Sequence, residues 1–558
     1  MEKKTIGSAI SLILVVGVTI GIVVLNNDQK GVTNDELNTH SKTVDALCQN
    51  TDDNKLCHET LSPVEAQTPS DYVKTVMKHS MNSLIKAFNM SDKLNVENSN
   101  NSIGIKMALE DCKDLLQFAI DELEASNIVF SDNNNKNDVT AELKNWLGAV
   151  IAYAQTCLDG FNSDGEKKVQ SQLQTGSLDK VEKLTALALD VVTEISEMLA
   201  SYNLTLNMKP TSRRLLIDLD KDGYPIWMSI KDRKLLANRD LVIKPNVVVA
   251  KDGSGQFKNV VDAINAYPKK HKGRYIIYVK AGTYDEYITV DKKKTNILLY
   301  GDGPTKTIIT GSKNFKDGVK TFRTATFSTE AENFIAKSIA FENTAGPEGH
   351  QAVALRVQGD RSTFFDCAMH GYQDTLYAHA HRQFYRNCEI SGTVDFIFGY
   401  STTLIQNSKI IVRKPGPNQQ NIVVADGTIQ KNMPTGVVLQ NCEIIPEKSL
   451  IPDRLNVKSY LARPWKAYSR AIFIENTIGD FIQPDGFLPW QGNQFLNTCY
   501  FAEYGNNGVG GDAKNRVKWG RGVLQKNVAA LYTAEQWLQA NTWLPATGIP
   551  YQTGFTRA

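Results

Sequence analysis

A short motif recurs at intervals of about twenty residues in the second half of this chain. Three copies place Asp366, Asn387 and Asn407 at equivalent positions, 21 and 20 residues apart, and a fourth copy occupies residues 438–444. Each copy joins short runs of β-branched and aromatic residues through an Asn or Asp turn. A coil of this size can bury its apolar face only against the next coil. The repeat therefore predicts an all-β, right-handed parallel β-helix.

The first part of the chain has a helical pattern instead. Between about Val44 and Asn207, apolar residues recur three and four residues apart, as they do in Leu109, Cys112 and Leu116. This spacing places them on one face of a helix. Several such segments, separated by polar stretches, indicate an all-α helical bundle. The chain is therefore predicted to be multidomain.

The two parts carry opposite charge. Residues 1–236 contain 24 Lys and Arg against 33 Asp and Glu, a balance of −9, whereas residues 237–558 contain 38 against 27, a balance of +11. This asymmetry favours attraction between the two parts and a polyanionic partner for the second. The sequence has no zinc-finger spacing and no basic stripe interleaved with aromatic residues. We therefore expect an acidic polysaccharide as the partner rather than nucleic acid.

An uncharged apolar run from Thr5 to Leu25 follows two lysines and indicates entry into the secretory pathway. Residues 1–28 are either a cleaved signal peptide or an uncleaved signal anchor, because the run is about as long as a membrane-spanning helix. Candidate glycosylation sites at Asn89, Asn100 and Asn203 support this route. We expect an extracellular protein, with a membrane-anchored precursor if the segment stays uncleaved.

Eight cysteines in a secreted chain permit disulfide bonds. The first part contains Cys48, Cys57, Cys112 and Cys157. Cys48 with Cys57 would form a local clip and Cys112 with Cys157 a link between helices, although four cysteines allow three connectivities. In the second part, the disulfide candidates are Cys367 and Cys388.

Two dibasic pairs mark the junction where the composition changes, at Arg213-Arg214 and Arg233-Lys234. Such pairs in a polar segment of a secreted chain are accessible to processing proteases. Residues 208–238 are therefore interpreted as a processing linker. The sequence DKDG at 220–223 begins like a calcium loop but lacks the acidic residue that would close it, so we predict no metal site there.

Four polar motifs interrupt the strand-like sequence of the second part: QAVAL at 351–355, YQDTL at 372–376, DFIFG at 395–399 and LARPW at 461–465. They supply two carboxylates (Asp374 and Asp395), two amides (Gln351 and Gln373) and the guanidinium of Arg463. Singly, these residue types are common as turn caps, amide ladders and ion pairs in a β-helix. Together they can hydrolyse an ester without serine, histidine, metal or cofactor.

These motifs, together with GTYDE at 282–286 and the helical part bounded by dibasic sites, resemble plant pectin methylesterases that carry an inhibitor-like pro-region. The resemblance implies a four-helix inhibitor-like bundle over residues 41–207 and a catalytic β-helix over residues 239–555. It implies hydrolysis of the C6 methyl esters of homogalacturonan, with release of methanol and no cofactor. The implied protein partners are a subtilisin-like processing protease and separate inhibitor proteins.

The resemblance also assigns roles to individual residues. It implies that Asp395 is the nucleophile, that Asp374 is the general acid and then the base, and that Gln373 and Gln351 stabilise the transition state. An arginine beside Asp395 would orient it and keep it ionised, whereas a desolvated Asp374 near a second carboxylate would retain a proton for departing methanol. The implied substrate contacts are Gln351, Thr321, Arg463 and Trp465.

Two positions depart from the family pattern, since Ala462 stands where glycine is usual and Tyr400 where asparagine is usual. Polygalacturonases and pectate lyases are alternatives, but the Asp-Asp and Gly-His-Gly motifs of the former and the calcium-binding carboxylates of the latter are not evident. An inhibitor or pectin-binding module is another alternative. A serine esterase is disfavoured because no Gly-x-Ser-x-Gly occurs. We interpret His379 and His381 as strand residues rather than metal ligands.

Overall fold

The computed structural model describes residues 34–66, 68–98, 102–125, 128–129, 139–201, 209–210, 244–269 and 271–557. The chain divides into two compact units, Met1–Leu216 and Ile217–Ala558. The apolar segment 1–28, the sequons at Asn100 and Asn203, and both dibasic pairs lie outside the described residues. Within the ranges given above, no helix is both long enough and apolar enough to cross a membrane.

The first unit is helical. Its described helices are α1 (Asn34–Cys48), α2 (Asn54–Leu61), α3 (Pro69–Glu97), α4 (Ile103–Ala125), α5 (Thr140–Asp159), α6 (Lys167–Leu173) and α7 (Asp179–Ser201). A π-helical turn, Gln174–Leu178, precedes α7, and a short antiparallel pairing joins β1 (Ile128–Val129) to β2 (Lys209–Pro210). The four long helices α3, α4, α5 and α7 pack against one another. They form the predicted bundle, to which α1, α2 and α6 are added.

The apolar spacing of the sequence fixes how these helices pack. On α4, Leu109, Cys112 and Leu116 are fully buried, as their spacing predicts. Two disulfides hold the unit together: Cys48–Cys57 links α1 to the middle of α2, and Cys112–Cys157 links α4 to α5. Closing a loop of 45 residues stabilises the fold by about 4 kcal/mol in the chain-entropy account. Both pairs are those favoured from the sequence.

The second unit contains three parallel sheets whose strands follow one another in chain order from coil to coil. The first sheet consists of β3 (Val247–Val249), β4 (Tyr275–Val279), β7 (Ile297–Gly301), β10 (Ile335–Lys337), β13 (Ser362–Phe365), β16 (Arg382–Arg386), β19 (Thr402–Gln406), β22 (Gly436–Gln440), β25 (Arg470–Ile474) and β27 (Tyr500–Tyr504).

The second sheet consists of β5 (Gly282–Asp285), β8 (Thr307–Gly311), β11 (Ala340–Asn343), β14 (Ala368–His370), β17 (Glu389–Gly392), β20 (Lys409–Val412), β23 (Glu443–Pro446) and β26 (Thr477–Ile478). The third sheet consists of β6 (Ile288–Val290), β9 (Phe327–Thr329), β12 (Leu355–Val357), β15 (Leu376–Ala378), β18 (Ile397–Gly399), β21 (Asn421–Asp426) and β24 (Ser459–Ala462). From β4 to β24 each coil contributes one strand to each sheet, and the end coils contribute fewer; this is the predicted parallel β-helix.

The repeated Asn and Asp turns stack in a column. Asp366, Asn387, Asn407 and Asn441 all adopt left-handed backbone conformations, with φ between 52° and 55°. Asn and Asp tolerate this conformation better than other residues with a Cβ atom. Asn407 Nδ2 donates to Asn387 Oδ1 at 2.6 Å, and Asn441 Nδ2 donates to Asn407 Oδ1 at 3.0 Å. The twenty-residue motif is therefore the turn that bends each coil from the first sheet to the second.

Short helices cover parts of the β-helix. The helix α8 (Val260–Asn265) packs at the first coils, and α9 (Lys526–Ala529) and α10 (Ala534–Leu538) lie in the C-terminal segment. Apolar residues of that segment, including Leu538 and Leu544, pack against the outer face of the first sheet. Covering this face removes apolar side chains of the sheet from water.

The expectation of a disulfide at Cys367 and Cys388 is not met, since both are free and buried. They occupy equivalent positions on successive coils. Each thiol lies in the apolar core and donates to a main-chain carbonyl: Cys367 to Phe365 at 3.3 Å, and Cys388 to Arg386 at 3.4 Å. Cys442 and Cys499 are also free and buried.

Candidate active site

Two aspartates lie one above the other, just before the neighbouring inner strands β15 and β18 of the third sheet. Asp374 and Asp395 each precede a strand by two residues, and the pairing of Leu376 with Ile397 puts the two carboxylates at the same level of neighbouring coils. Both residues have left-handed backbone conformations, with φ of 63° and 51°, and both are more than nine-tenths buried. Because the register is fixed by the sheet, the two side chains are held on a rigid element.

Arg463 binds Asp395 through both carboxylate oxygens. It follows β24, two coils further along, and its Nε donates to Asp395 Oδ1 at 2.7 Å while its second terminal nitrogen donates to Oδ2. The Trp490 ring packs against the Arg463 guanidinium, with the ring centre 4.3 Å from the guanidinium carbon. Bidentate pairing fixes the plane of the carboxylate. The predicted pairing of Arg463 with Asp395 is therefore present.

Asp374 has a different environment. Burial raises the pKa of Asp374 well above its usual value, the negative charge of Asp395 raises it further, and Arg463 offsets part of the increase. Asp374 therefore keeps its proton to higher pH than an ordinary aspartate, while Asp395 accepts hydrogen bonds from an arginine. Two carboxylates in such different environments are suited to the roles of acid and nucleophile.

The two glutamines lie on successive coils beside the carboxylates. Gln373 directly precedes Asp374, and the Ala352 amide donates to the Gln373 carbonyl at 3.1 Å, which places Gln351 alongside. Both side chains are half-buried, and within the described part of the chain neither has a hydrogen-bonding partner. Their amide N–H groups are thus available to a bound molecule, as an oxyanion site requires.

Trp465, an implied substrate contact, belongs to a group of aromatic side chains whose other members have no role implied by the sequence motifs. Its ring lies 4.9 Å from the Tyr400 ring and 5.9 Å from the Phe398 ring, and Phe398 stacks on Tyr377 at 4.3 Å. Tyr377 and Phe398 are paired on β15 and β18 and each lies three residues after an aspartate of the pair. Aligning the two motifs on their aspartates would have revealed this aromatic row.

Thr321 lies at the other end of this row. It begins a 3-10 turn, Thr321–Arg323, and is half-buried. The next residue, Phe322, contacts the Arg356 guanidinium at 3.9 Å and the His379 ring at 5.6 Å. Because the His379 ring lies 4.8 Å from the Tyr377 ring, Thr321 directly precedes a side chain that continues the aromatic row.

The two histidines lie in the connection between β15 and β16, so the expectation that they are strand residues was wrong. His379 is buried and its Nδ1 lies 3.2 Å from Gln358 Oε1. Burial, with the nearby Arg356 charge, holds the pKa of His379 well below its usual value. Among the described residues, no group of three or more His, Cys, Asp or Glu side chains could hold a metal ion.

Tyr400 and Ala462, the two residues that depart from the family pattern, are both fully buried. Tyr400 is fully buried and packs beneath Trp465, next to Gly427, where a Cβ atom would lie 2.5 Å from the tyrosine ring. Ala462 is fully buried in the interior of the β-helix. A side chain at position 427 is therefore excluded by the tyrosine.

The arrangement combines a carboxylate bound by an arginine, a second carboxyl group with a raised pKa, two side-chain amides without a hydrogen-bonding partner among the described residues, and a row of aromatic rings along a β-helix. These groups can attack an ester, protonate the alcohol that leaves and stabilise the tetrahedral oxyanion between. The fold and this chemistry define the class of protein: a β-helical carboxylic ester hydrolase.

The chain belongs to the pectinesterase family. Residues 246–541 match the family described as Pectinesterase, and residues 42–191 match the family described as Plant invertase/pectin methylesterase inhibitor. The chain is 43% identical over 523 residues to "Probable pectinesterase/pectinesterase inhibitor 13" of Arabidopsis thaliana, covering 92% of this chain and 82% of that protein. It is 38% identical over 593 residues to "Pectinesterase 4" of the same plant, covering 99% of this chain and 100% of that protein.

A solved structure shares the fold of the second unit. The pectin methylesterase from carrot matches with a TM-score of 0.56 and 44% sequence identity, covering 56% of this chain and 99% of that structure. The match agrees with the parallel sheets described above and with the family assignment.

Proposed function

We propose that the β-helical unit hydrolyses the C6 methyl esters of homogalacturonan and that Asp395 and Asp374 carry the reaction. The observation that supports this most directly is the Arg463-bound Asp395 lying level with a carboxyl group whose pKa is raised by burial. Enzymes use pairs of carboxylates with divergent environments as nucleophile and acid.

In the first step, an Asp395 oxygen attacks the ester carbonyl carbon. The amides of Gln351 and Gln373 hold the tetrahedral oxyanion, and Asp374 gives its proton to the methoxy oxygen as the C–O bond breaks. Methanol leaves and an acyl anhydride with Asp395 remains. In the second step, Asp374 accepts a proton from water as the water attacks the acyl carbon. The free galacturonate carboxylate and Asp395 are released.

The polymer is proposed to lie along the coils. The half-buried Trp465 offers a flat surface to a sugar ring and packs on the buried Phe398, which stacks on the buried Tyr377. The balance of +11 over residues 237–558 attracts galacturonate carboxylates. Gln351, Thr321 and Arg463 are proposed as further substrate contacts.

The test of this function is methanol release from highly methylated pectin, measured together with chain length and unsaturated chain ends. We expect methanol to be released while chain length stays unchanged. Shortened chains would instead indicate a polygalacturonase, unsaturated ends a lyase, and pectin binding without either reaction a binding module.

The helical unit is proposed to restrain the esterase until the linker is cut. Its negative balance, the two dibasic pairs and the match of residues 42–191 to an inhibitor family support this role. We propose that a subtilisin-like protease cuts at Arg213-Arg214 or Arg233-Lys234 in the secretory pathway and that the β-helical unit then acts in the cell wall, where separate inhibitor proteins can bind it. Residues 1–28 would anchor the precursor if they stay uncleaved.

Blocking both dibasic pairs tests this restraint. We expect the full chain with Arg213, Arg214, Arg233 and Lys234 all changed to alanine to stay uncut and to release methanol at least about tenfold more slowly than the processed wild type. Variants with only one pair changed serve as controls and identify the site that is used. An uncut quadruple variant with wild-type activity would contradict the proposal.

A further inference from the structure

Arg413 makes a set of contacts that the proposed mechanism does not use. It follows β20, and its guanidinium donates to Glu447 Oε1, to the Gly371 carbonyl and to the Tyr372 hydroxyl, each at 3.0 Å. The central carbon of the guanidinium also lies over the Tyr372 ring, 4.0 Å from the ring centre. A half-buried arginine with three partners and a stacked ring has a single, well-defined position.

The residues that Arg413 holds are the two that precede Gln373 and Asp374. The sheet register puts Tyr372, Thr393 and Arg413 at the same position on three successive coils, so the arginine reaches across the middle coil. The middle coil carries Gly392 just before Thr393, and a Cβ atom at position 392 would lie 2.2 Å from Phe396 Cβ and 2.7 Å from the Tyr372 carbonyl oxygen. Arg413 therefore connects the turn that carries Asp374 to a coil two repeats away.

The other side of the same turn is held by the main chain. The Thr393 amide donates to the Tyr372 carbonyl at 2.9 Å, and the Asp374 amide donates to the Val394 carbonyl at 3.1 Å. These bonds fix the backbone of the turn against the next coil, and the bond from the Ala352 amide to the Gln373 carbonyl fixes it against the preceding coil. The Tyr372 side chain and the Gly371 carbonyl have Arg413 as their partner, and Glu447 holds Arg413 in turn through a 3.0 Å ion pair.

We propose that Arg413, anchored by Glu447, is a positioning residue that fixes the Gly371–Tyr372 turn and thereby the placement of Gln373 and Asp374. This proposal rests on the roles proposed above for those two residues. Arg413 acts by fixing the position of the turn and not through its charge, because the charges that shift the pKa of Asp374 are those of Asp395 and Arg463. A displacement of about 1 Å at a catalytic group can reduce the rate about 100-fold.

The experiment replaces Arg413 with leucine in the full chain and measures kcat, KM and the pH profile of methanol release well below the unfolding temperature. We expect kcat to fall by about 10- to 100-fold with KM changed less than about threefold, because Asp374 is misplaced while the aromatic row is intact. The pH profile should also shift, since the burial of Asp374 changes. Arg413→Lys keeps the charge but cannot reproduce the planar contacts, so its kcat should be intermediate.

Arg454→Leu is the matched control. Arg454, like Arg413, pairs with a carboxylate and donates to a main-chain carbonyl, but its partners are Asp480 and Ile451, away from the turn. The Arg454→Leu variant should therefore have the wild-type kcat and pH profile. If Arg413→Leu lowers only the unfolding temperature and leaves kcat and the pH profile at wild-type values, the positioning role is overturned.

If the leucine variant does not fold, kcat of the variants Arg413→Lys and Glu447→Ala tests the proposal instead. A reduced kcat in both variants supports the positioning role of Arg413. A wild-type kcat in both variants excludes it. A wild-type chain that releases no methanol at all would be a failure of the proposed function, which is a separate outcome.

Discussion

Replacing Asp395 with asparagine is expected to reduce methanol release by about 10³-fold or more, because the acyl intermediate needs an ionised oxygen as nucleophile. Asparagine has nearly the same volume and keeps one oxygen for Arg463, which binds the carboxylate at 2.7 Å. The fold should therefore survive, whereas alanine would leave the arginine unpaired in a largely buried place. The measurement is kcat on highly methylated pectin, with circular dichroism confirming the fold.

Asp366→Asn is the matched control for this substitution. Asp366 has the same left-handed turn conformation, with φ of 52°, and asparagine occupies the equivalent position on the next coils, at Asn387 and Asn407. The control should keep its activity within about twofold, as expected of a surface-turn substitution. If Asp395→Asn kept more than a tenth of the wild-type rate, Asp395 could not be the nucleophile.

The fold could be predicted because its determinants are local and repeated. Asp366, Asn387 and Asn407 recur at the interval that one coil requires, and the left-handed φ they share is one that few residue types adopt readily. The helical unit is similar, because Leu109 and Leu116 follow the period of a helix face and are buried accordingly. The short helices α1, α2 and α6 were not predicted separately, since short segments carry little periodic signal.

The site could be predicted in its residues but not in all its contacts. The register of two neighbouring coils brings Asp374 level with Asp395, and the interval between the two motifs already matches one coil. Arg463, by contrast, lies 68 residues from Asp395, and only the resemblance to a known family connected them. Trp490 stacks on that arginine from a loop without any recognisable motif, so nothing in the sequence identified it.

The free thiols of Cys367 and Cys388 show a different limit of sequence analysis. Neighbouring positions on a β-helix are compatible with a disulfide by spacing, but the direction of each side chain is set by packing in the core. A cysteine count cannot supply that direction. In the helical unit, the positions of the four cysteines along the sequence did indicate the two disulfides that are observed.

Replacing Asp374 with asparagine is expected to abolish activity and, at neutral pH, to stabilise the protein. The loss of a general acid reduces the rate by about 10²- to 10⁴-fold. The stability effect follows from the raised pKa of Asp374: the folded state binds this proton more tightly than the unfolded chain, whose aspartates titrate near pH 3.9. The contribution of this residue to stability is therefore complete below that pH and is lost as the pH rises through the folded-state pKa.

Asparagine does not titrate, so the difference in unfolding temperature between Asp374→Asn and the wild type should grow as the pH rises from about 4 and then level off. Asp426→Asn is a reference for the method, because burial raises the pKa of Asp426 to about 6 and its difference should grow from about pH 4 and level off above about pH 6. A difference for Asp374→Asn that stays constant from pH 4 to 8 would show that Asp374 has no raised pKa. A buried aspartate lowers the stability of the folded protein when it ionises. Such a residue is expected where its proton serves catalysis rather than the stability of the fold.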